Sequence, residues 1–161
     1  MIDKQADEPD LAILLVAANR CLSDRLIAAV RDTGARDARP AFGFVIRAVD
    51  AEEPTVTRLA ELLGVSRQAA SKVADEMVRR GYLLRAADPA DRRRTRLRLS
   101  AKGRRVRERA AAESEAIEAE LRAVCGDRAV DGLRRALLAF VEREGALDEV
   151  LALRSRAPAD R

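Results

Sequence analysis

A mainly α fold with one small, two- or three-stranded β-hairpin is what this sequence predicts, on three observations. Apolar residues recur at spacings of three and four along most of the 161 residues. One short stretch, Thr95–Leu99, alternates strictly instead, with Leu97 and Leu99 apolar and Arg96 and Arg98 basic. Serine, threonine, glycine and proline fall at the ends of the periodic segments, where caps and turns belong.

Taken in order, a first helix carries Leu11, Leu15, Ala18, Leu22, Leu26 and Ala29 on one stripe. It is expected to start near Asp7–Asp10, where acidic groups suit the positive helix end, and to stop near Gly34. Ile13, Val16 and Ile27 lie off the stripe, so burial on more than one side is expected. Pro40 suits the first turn of a second helix bearing Phe42, Val45, Ile46 and Val49. Thr55 can cap a short third helix through Leu63, and Gly64 can end it. Ser66 can cap a fourth, with Ala69, Ala70, Val73 and Met77 on its packed side and an end at Gly81. Residues 82–86 and 95–99 form the hairpin, joined through an Asp-Pro turn and a basic tip. Ser100 can cap a long fifth helix that breaks at Cys125-Gly126-Asp127. A last helix follows with Val130, Leu133, Leu137 and Val141, and residues 154–161 are expected to be disordered.

Composition removes several function classes. There is no histidine, so Ser–His and Cys–His nucleophile pairs and His-ligated zinc are excluded. Two cysteines cannot build a disulfide scaffold or a four-cysteine zinc site within one chain. Only 2% of residues are aromatic, too few for a base-stacking platform for single strands. No nucleophile–base pair, phosphate-cradling glycine loop or metal cluster is visible, so neither enzymatic activity nor a cofactor is expected. No apolar run approaches the roughly 18 residues of a membrane span. The acidic start MIDKQADEPD is unlike a signal peptide, and a cytoplasmic location is expected.

The net charge of +4 is small, but charge is segregated. Residues 58–109 hold 16 Lys/Arg against 6 Asp/Glu, while the rest of the chain is net acidic. One lobe is thus suited to a polyanion. At its centre, LAELLGVS (59–66) followed by Arg67–Arg80 reads as two short helices joined by a tight turn, a helix-turn-helix. Ala60 permits close approach of the helices, Gly64 supplies the positive φ of the turn, and Val65 and Val73 are expected to pin the second helix on the first.

The stretches TVTRLAELLGVSRQAASKVADEMVRRGYLLR (55–85) and DPADRRRTRLRLSAKGRRV (88–106) resemble the winged helix-turn-helix of the multiple-antibiotic-resistance regulator (MarR) family. The flanking helices fit that family's dimerisation region by pattern. The resemblance implies a homodimeric transcriptional regulator, a repressor in the first instance, reading a palindromic double-stranded operator. It divides the chain into N-terminal dimerisation and linker helices (1–54), a DNA-binding lobe (55–106), C-terminal dimerisation helices (107–153) and a tail (154–161).

The residues themselves agree. A recognition helix enters the major groove N-terminus first. Arg67 and Lys72 can donate to guanine edges and Gln68 can pair with adenine, each correct bidentate contact discriminating by about 1–3 kcal/mol. Ser71 lies on the same polar side. Ser66 and Thr55 stand at helix starts, where hydroxyls and free N–H groups suit phosphate. In the hairpin, Arg92, Arg93 and Arg94 follow Asp91. The resemblance implies a wing in which an Asp-x-Arg pair, here Asp91 and Arg93, holds the loop and inserts into a minor groove. Arg96 and Lys102 are expected to meet phosphates.

The resemblance also implies a switch. A small aromatic or phenolic acid binding between dimer helices and DNA lobe would meet Phe42, Phe44 and Arg47, with Leu15 and Val106 nearby. Cys21 and Cys125 invite comparison with a peroxide-sensing branch. The tyrosines that activate that branch's thiol are missing from the first two helices, so buried inert thiols are the expectation. Two other classes compete with sequence-specific regulation. One is a protein-interaction module reusing the winged fold. The other is a non-specific architectural DNA binder.

Overall fold

The computed structural model describes residues 9–89, 91 and 93–145. Six helices and one hairpin follow in chain order. They are α1 (Leu11–Arg31), α2 (Pro40–Glu52), α3 (Val56–Leu62), α4 (Arg67–Arg79), β1 (Leu83–Ala87), β2 (Thr95–Leu99), α5 (Ala101–Cys125) and α6 (Asp127–Arg143). It is a mainly α chain with a two-stranded antiparallel sheet, in which Leu83 faces Leu99 and Ala87 faces Thr95. A third strand is reduced to one bond, Leu97 N–H donating to the Pro54 carbonyl at 2.9 Å.

Side-chain caps start four of the helices. Asp10 accepts from Ile13 N–H, Thr55 from Arg58, Ser66 from Ala69 and Ser100 from Gly103. Pro40 opens α2, where its missing N–H costs nothing. The connection from α3 to α4 is closed by Val65 N–H to the Ala60 carbonyl at 3.0 Å, with Gly64 at φ +61°.

The core lies in the lobe formed by α2, α3, α4, the hairpin and the start of α5. Leu59, Met77, Tyr82, Leu83 and Leu97 are fully buried there. Two close approaches organise it. The Phe42 and Tyr82 rings meet edge to face with centroids 5.5 Å apart. Gly103 brings α5 so near the Tyr82 carbonyl that a Cβ there would collide with backbone.

Three packing expectations need correction. Of α1, only Ala29 and Val30 are buried; Leu11, Ile13 and Val16 are 69%, 58% and 72% exposed. The reason is that, among the described residues, α5 is the main element lying against α1, so much of its apolar surface is left open. Ala69 is exposed, and the packed row of α4 is Ala70, Ala74 and Met77. Val65 is 43% exposed, because the turn faces solvent, and only Val73 of the expected pair packs on the core.

The helices outside the core are joined by charge. Arg25 on α1 reaches α5, with Nη2 2.7 Å from Glu113 and Nη1 2.5 Å from Glu120. Arg122 on α5 meets Asp127 and Asp131 across the Gly126 break, and α6 buries only Val130. No helix among the described residues is long and apolar enough to cross a membrane.

Candidate nucleic-acid interface

The exposed end of α4 is its N-terminal turn. Ser66 Oγ accepts the Ala69 N–H at 3.2 Å, which leaves its own proton free to donate outward. Arg67, Gln68 and Lys72 are exposed and form no side-chain hydrogen bond or ion pair among the described residues. Ala69 stands beside them, a small apolar face that the sequence pattern assigned to the core. Ser71 is different: half-buried, its hydroxyl lies 3.4 Å from Asp75. Asp75 in turn accepts Arg85 Nη2 at 2.6 Å, and this bond holds its carboxyl below the ordinary carboxylate pKa. The pair ties α4 to β1.

Thr55, at the start of α3, accepts Arg58 N–H at 3.2 Å and likewise keeps a free hydroxyl proton. Between this helix start, Arg67 and the hairpin runs a groove of about 520 Å³, lined by Thr55, Arg58, Glu61, Arg67, Arg85 and Arg94. The first turns of α3 and α4 and the hairpin therefore border one cationic channel. Arg58 and Arg85 were missed in reading the sequence as contact candidates; their place in the basic segment was the available signal.

At the hairpin tip, Asp91 Oδ1 accepts the Arg93 N–H, and its carbonyl accepts the Arg94 N–H at 2.8 Å. Arg94 Nε is 3.4 Å from the same carboxylate, whereas Arg93 is exposed. Arg92 lies outside the described residues. At the base of the hairpin, Asp88 donates its N–H to the Arg94 carbonyl at 3.0 Å, and its buried carboxylate sits 2.7 Å from Arg96 Nε.

Two expected phosphate contacts are thus already engaged within the chain. Arg96 is held by Asp88, and Lys102 points inward, to Asp37 at 3.3 Å and the Arg80 carbonyl at 3.0 Å. Lys102 turns in because Tyr82 and Asp37 offer a ring face and a carboxylate beneath the first turn of α5.

The expected ligand residues do not form one site within the chain. Phe42 is core, and Phe44 on the opposite side of α2 is 56% exposed. Arg47 shares the outer side with Phe44. It is half-buried without an ion-pair partner among the described residues, and burial, then the charge of Arg107, lowers its pKa. Arg107 is itself buried and bound to Asp50 at 3.0 Å. Cys21 and Cys125 are free and exposed, not buried, because α1 and the end of α5 are uncovered.

Helix, glycine turn, exposed helix and antiparallel hairpin in this order make a winged helix-turn-helix. Residues 42–94 match the model of the MarR family. Solved structures of the family share the fold over most of the chain. The transcriptional repressor CouR bound to a 23-mer DNA duplex is 26% identical, with a TM-score of 0.65, covering 82% of this chain and 92% of that one. CouR from Rhodococcus jostii RHA1 bound to p-coumaroyl-CoA is also 26% identical, with a TM-score of 0.60, covering 81% and 91%. Wild-type MarR from E. coli in its apo form is 20% identical, with a TM-score of 0.59, covering 84% and 98%. In its fold and in the 42–94 segment the chain is similar to transcriptional regulators of the MarR family. No curated protein matches it at the level of sequence.

Proposed function

We propose that this chain is a homodimeric, sequence-specific regulator of transcription that represses by occupying a palindromic DNA operator. The observation that carries the reading is the exposed start of α4, where Arg67, Gln68 and Lys72 form no side-chain bond among the described residues and Arg67 borders the same cationic groove as the hairpin. α4 enters the major groove with those three side chains on base edges and the Ala69 methyl suited to thymine. Ser66, Thr55 and Arg58 meet phosphates, and Arg93 enters the minor groove from a tip braced by Asp91.

Pairing follows from the uncovered apolar stripe. Leu11, Leu14 and Leu15 of α1 and Leu133, Leu137 and Phe140 of α6 are each more than a third exposed, two apolar runs that suit a partner's cover. A twofold axis through these helices covers both copies at once and sets two α4 helices about 34 Å apart, one turn of DNA. On this reading residues 1–54 and 107–153 form the dimerisation and linker part, and residues 55–106 the DNA-binding lobe. An acidic aromatic effector suits the outer side of α2, where Arg47 is half-buried without a counterion among the described residues and Phe44 offers a ring.

The test is capture of fragments from the protein's own genome, followed by titration of the best duplex against random DNA at physiological salt. An affinity ratio of about 10³ or more is expected. A ratio near one would make the protein an architectural binder, and absence of duplex binding would favour a protein-interaction module.

A further inference from the structure

Asp37 lies in the connection between α1 and α2, distant in sequence from everything it touches. Its Oδ1 accepts Tyr82 Oη at 2.6 Å and Lys102 Nζ at 3.3 Å, and its Oδ2 accepts Arg80 Nη1 at 3.0 Å. Arg80 is the residue that closes α4. Its Nε and Nη2 also hold Glu76, at 3.0 Å and 2.8 Å, and Glu76 meets Arg39 of the same connection at 3.3 Å. Lys102 donates to the Arg80 carbonyl, and its ammonium lies 3.8 Å from the centre of the Tyr82 ring. The α1–α2 connection therefore grips the rear end of α4 through two carboxylates, while the front end carries Arg67, Gln68 and Lys72.

The mechanics are those of a lever. At 1.5 Å per residue α4 is roughly 20 Å long, so a tilt of about 10° at the rear moves the front by about 3 Å. Contacts to base edges tolerate displacements of only about 0.5 Å. Asp37 itself is about one-third exposed, so its ion pairs are screened and their share of global stability is limited. Their directions, in contrast, fix an angle. From a connection that begins at the end of α1, that angle relates α4 to the helix proposed to pair the two copies.

We infer that Asp37 is a positioning residue: its three-way contact with Arg80, Tyr82 and Lys102 sets the angle of α4, and so matches the two recognition helices to the spacing of the operator half-sites. This rests on the DNA-binding reading above.

The experiment compares full-length wild type, Asp37→Asn and Arg80→Gln. The Asn side chain keeps an acceptor for the Tyr82 hydroxyl but loses the charge. Three quantities are measured: thermal melting, affinity for the captured operator and for random duplex, and affinity for operators with one base pair added or removed between half-sites. Both variants are expected to fold, to bind random duplex within about twofold of wild type, and to lose about tenfold on the operator. Their penalty for altered spacing should shrink. Operator and random affinities falling together would mean a merely structural role, and unchanged operator affinity and spacing penalty would overturn the inference alone. A wild type that selects no operator would overturn the DNA reading, and this inference with it.

Discussion

Asp91 Oδ1 accepts the backbone N–H of Arg93 at 3.0 Å, so the residue expected to enter a minor groove is presented by the one placed to hold it. The two roles separate in a binding experiment. Arg93→Ala should weaken operator affinity and reduce the slope of log affinity against log salt by about 0.9. Asp91→Ala removes a negative charge beside DNA, which by itself would tighten binding; loss of the brace should instead lower operator affinity, with little change in slope. A gain in affinity for Asp91→Ala would show that the brace contributes nothing.

On α4, Gln68→Ala and Lys72→Ala should each cost about 1–3 kcal/mol on the operator and relax selection at one position of each half-site. Ser71→Ala should cost less, since that hydroxyl is half-buried beside Asp75. Selection from a randomised duplex library reads both effects. Unchanged base preferences in the Gln68 and Lys72 variants would remove those residues from the interface.

Much of this was legible in the sequence, and the parts that were not have a common cause. Thr55, Ser66 and Ser100 announce helix starts because capping is a local hydrogen bond three residues long, and Gly64 announces the turn because positive φ is a property of one residue. The alternation in Thr95–Leu99 places Leu97 and Leu99 inward in the same way. Lys102 and Arg96 could not be placed so. Whether a lysine at a helix start faces outward depends on Asp37 and Tyr82, remote in the chain. Ala69 differs from the pattern because alanine fits a packed face and an open one equally well, and α1 because nothing among the described residues covers its apolar start.

Protonation should affect stability at both ends of the pH range. Hydrogen bonds from Tyr82 and Arg80 hold the Asp37 carboxyl well below the ordinary carboxylate pKa. That contribution is complete above the unfolded value of about 4 and is lost as pH falls toward the folded value. Burial, then Asp37, pushes the Tyr82 phenol above its ordinary pKa. Its contribution is complete below about pH 10 and is lost as pH rises beyond that. Denaturant midpoints measured across pH should fall at both extremes. Asp37→Asn should show a shallower acid limb than wild type, and coincident acid limbs would deny Asp37 this role.

The uncovered stripe gives a prediction about mass. Leu14→Asp on α1 and Leu133→Asp on α6 place charge on positions 48% exposed in the single chain, so neither should unfold the lobe. Both should shift the protein from a pair to a single chain in sedimentation and weaken operator binding by at least about tenfold. A wild type that sediments as a single chain would contradict the pairing.

Arg25 joins α1 to Glu113 and Glu120 of its own chain, so the ion pairs that hold this helix are not borrowed from another copy. Under the proposed pairing, each molecule keeps these α1–α5 bonds on its own chain, and mates are expected to be traded by separation. A defective copy produced in excess would then recruit sound ones into half-active assemblies, and the variant allele would behave as dominant over the normal one.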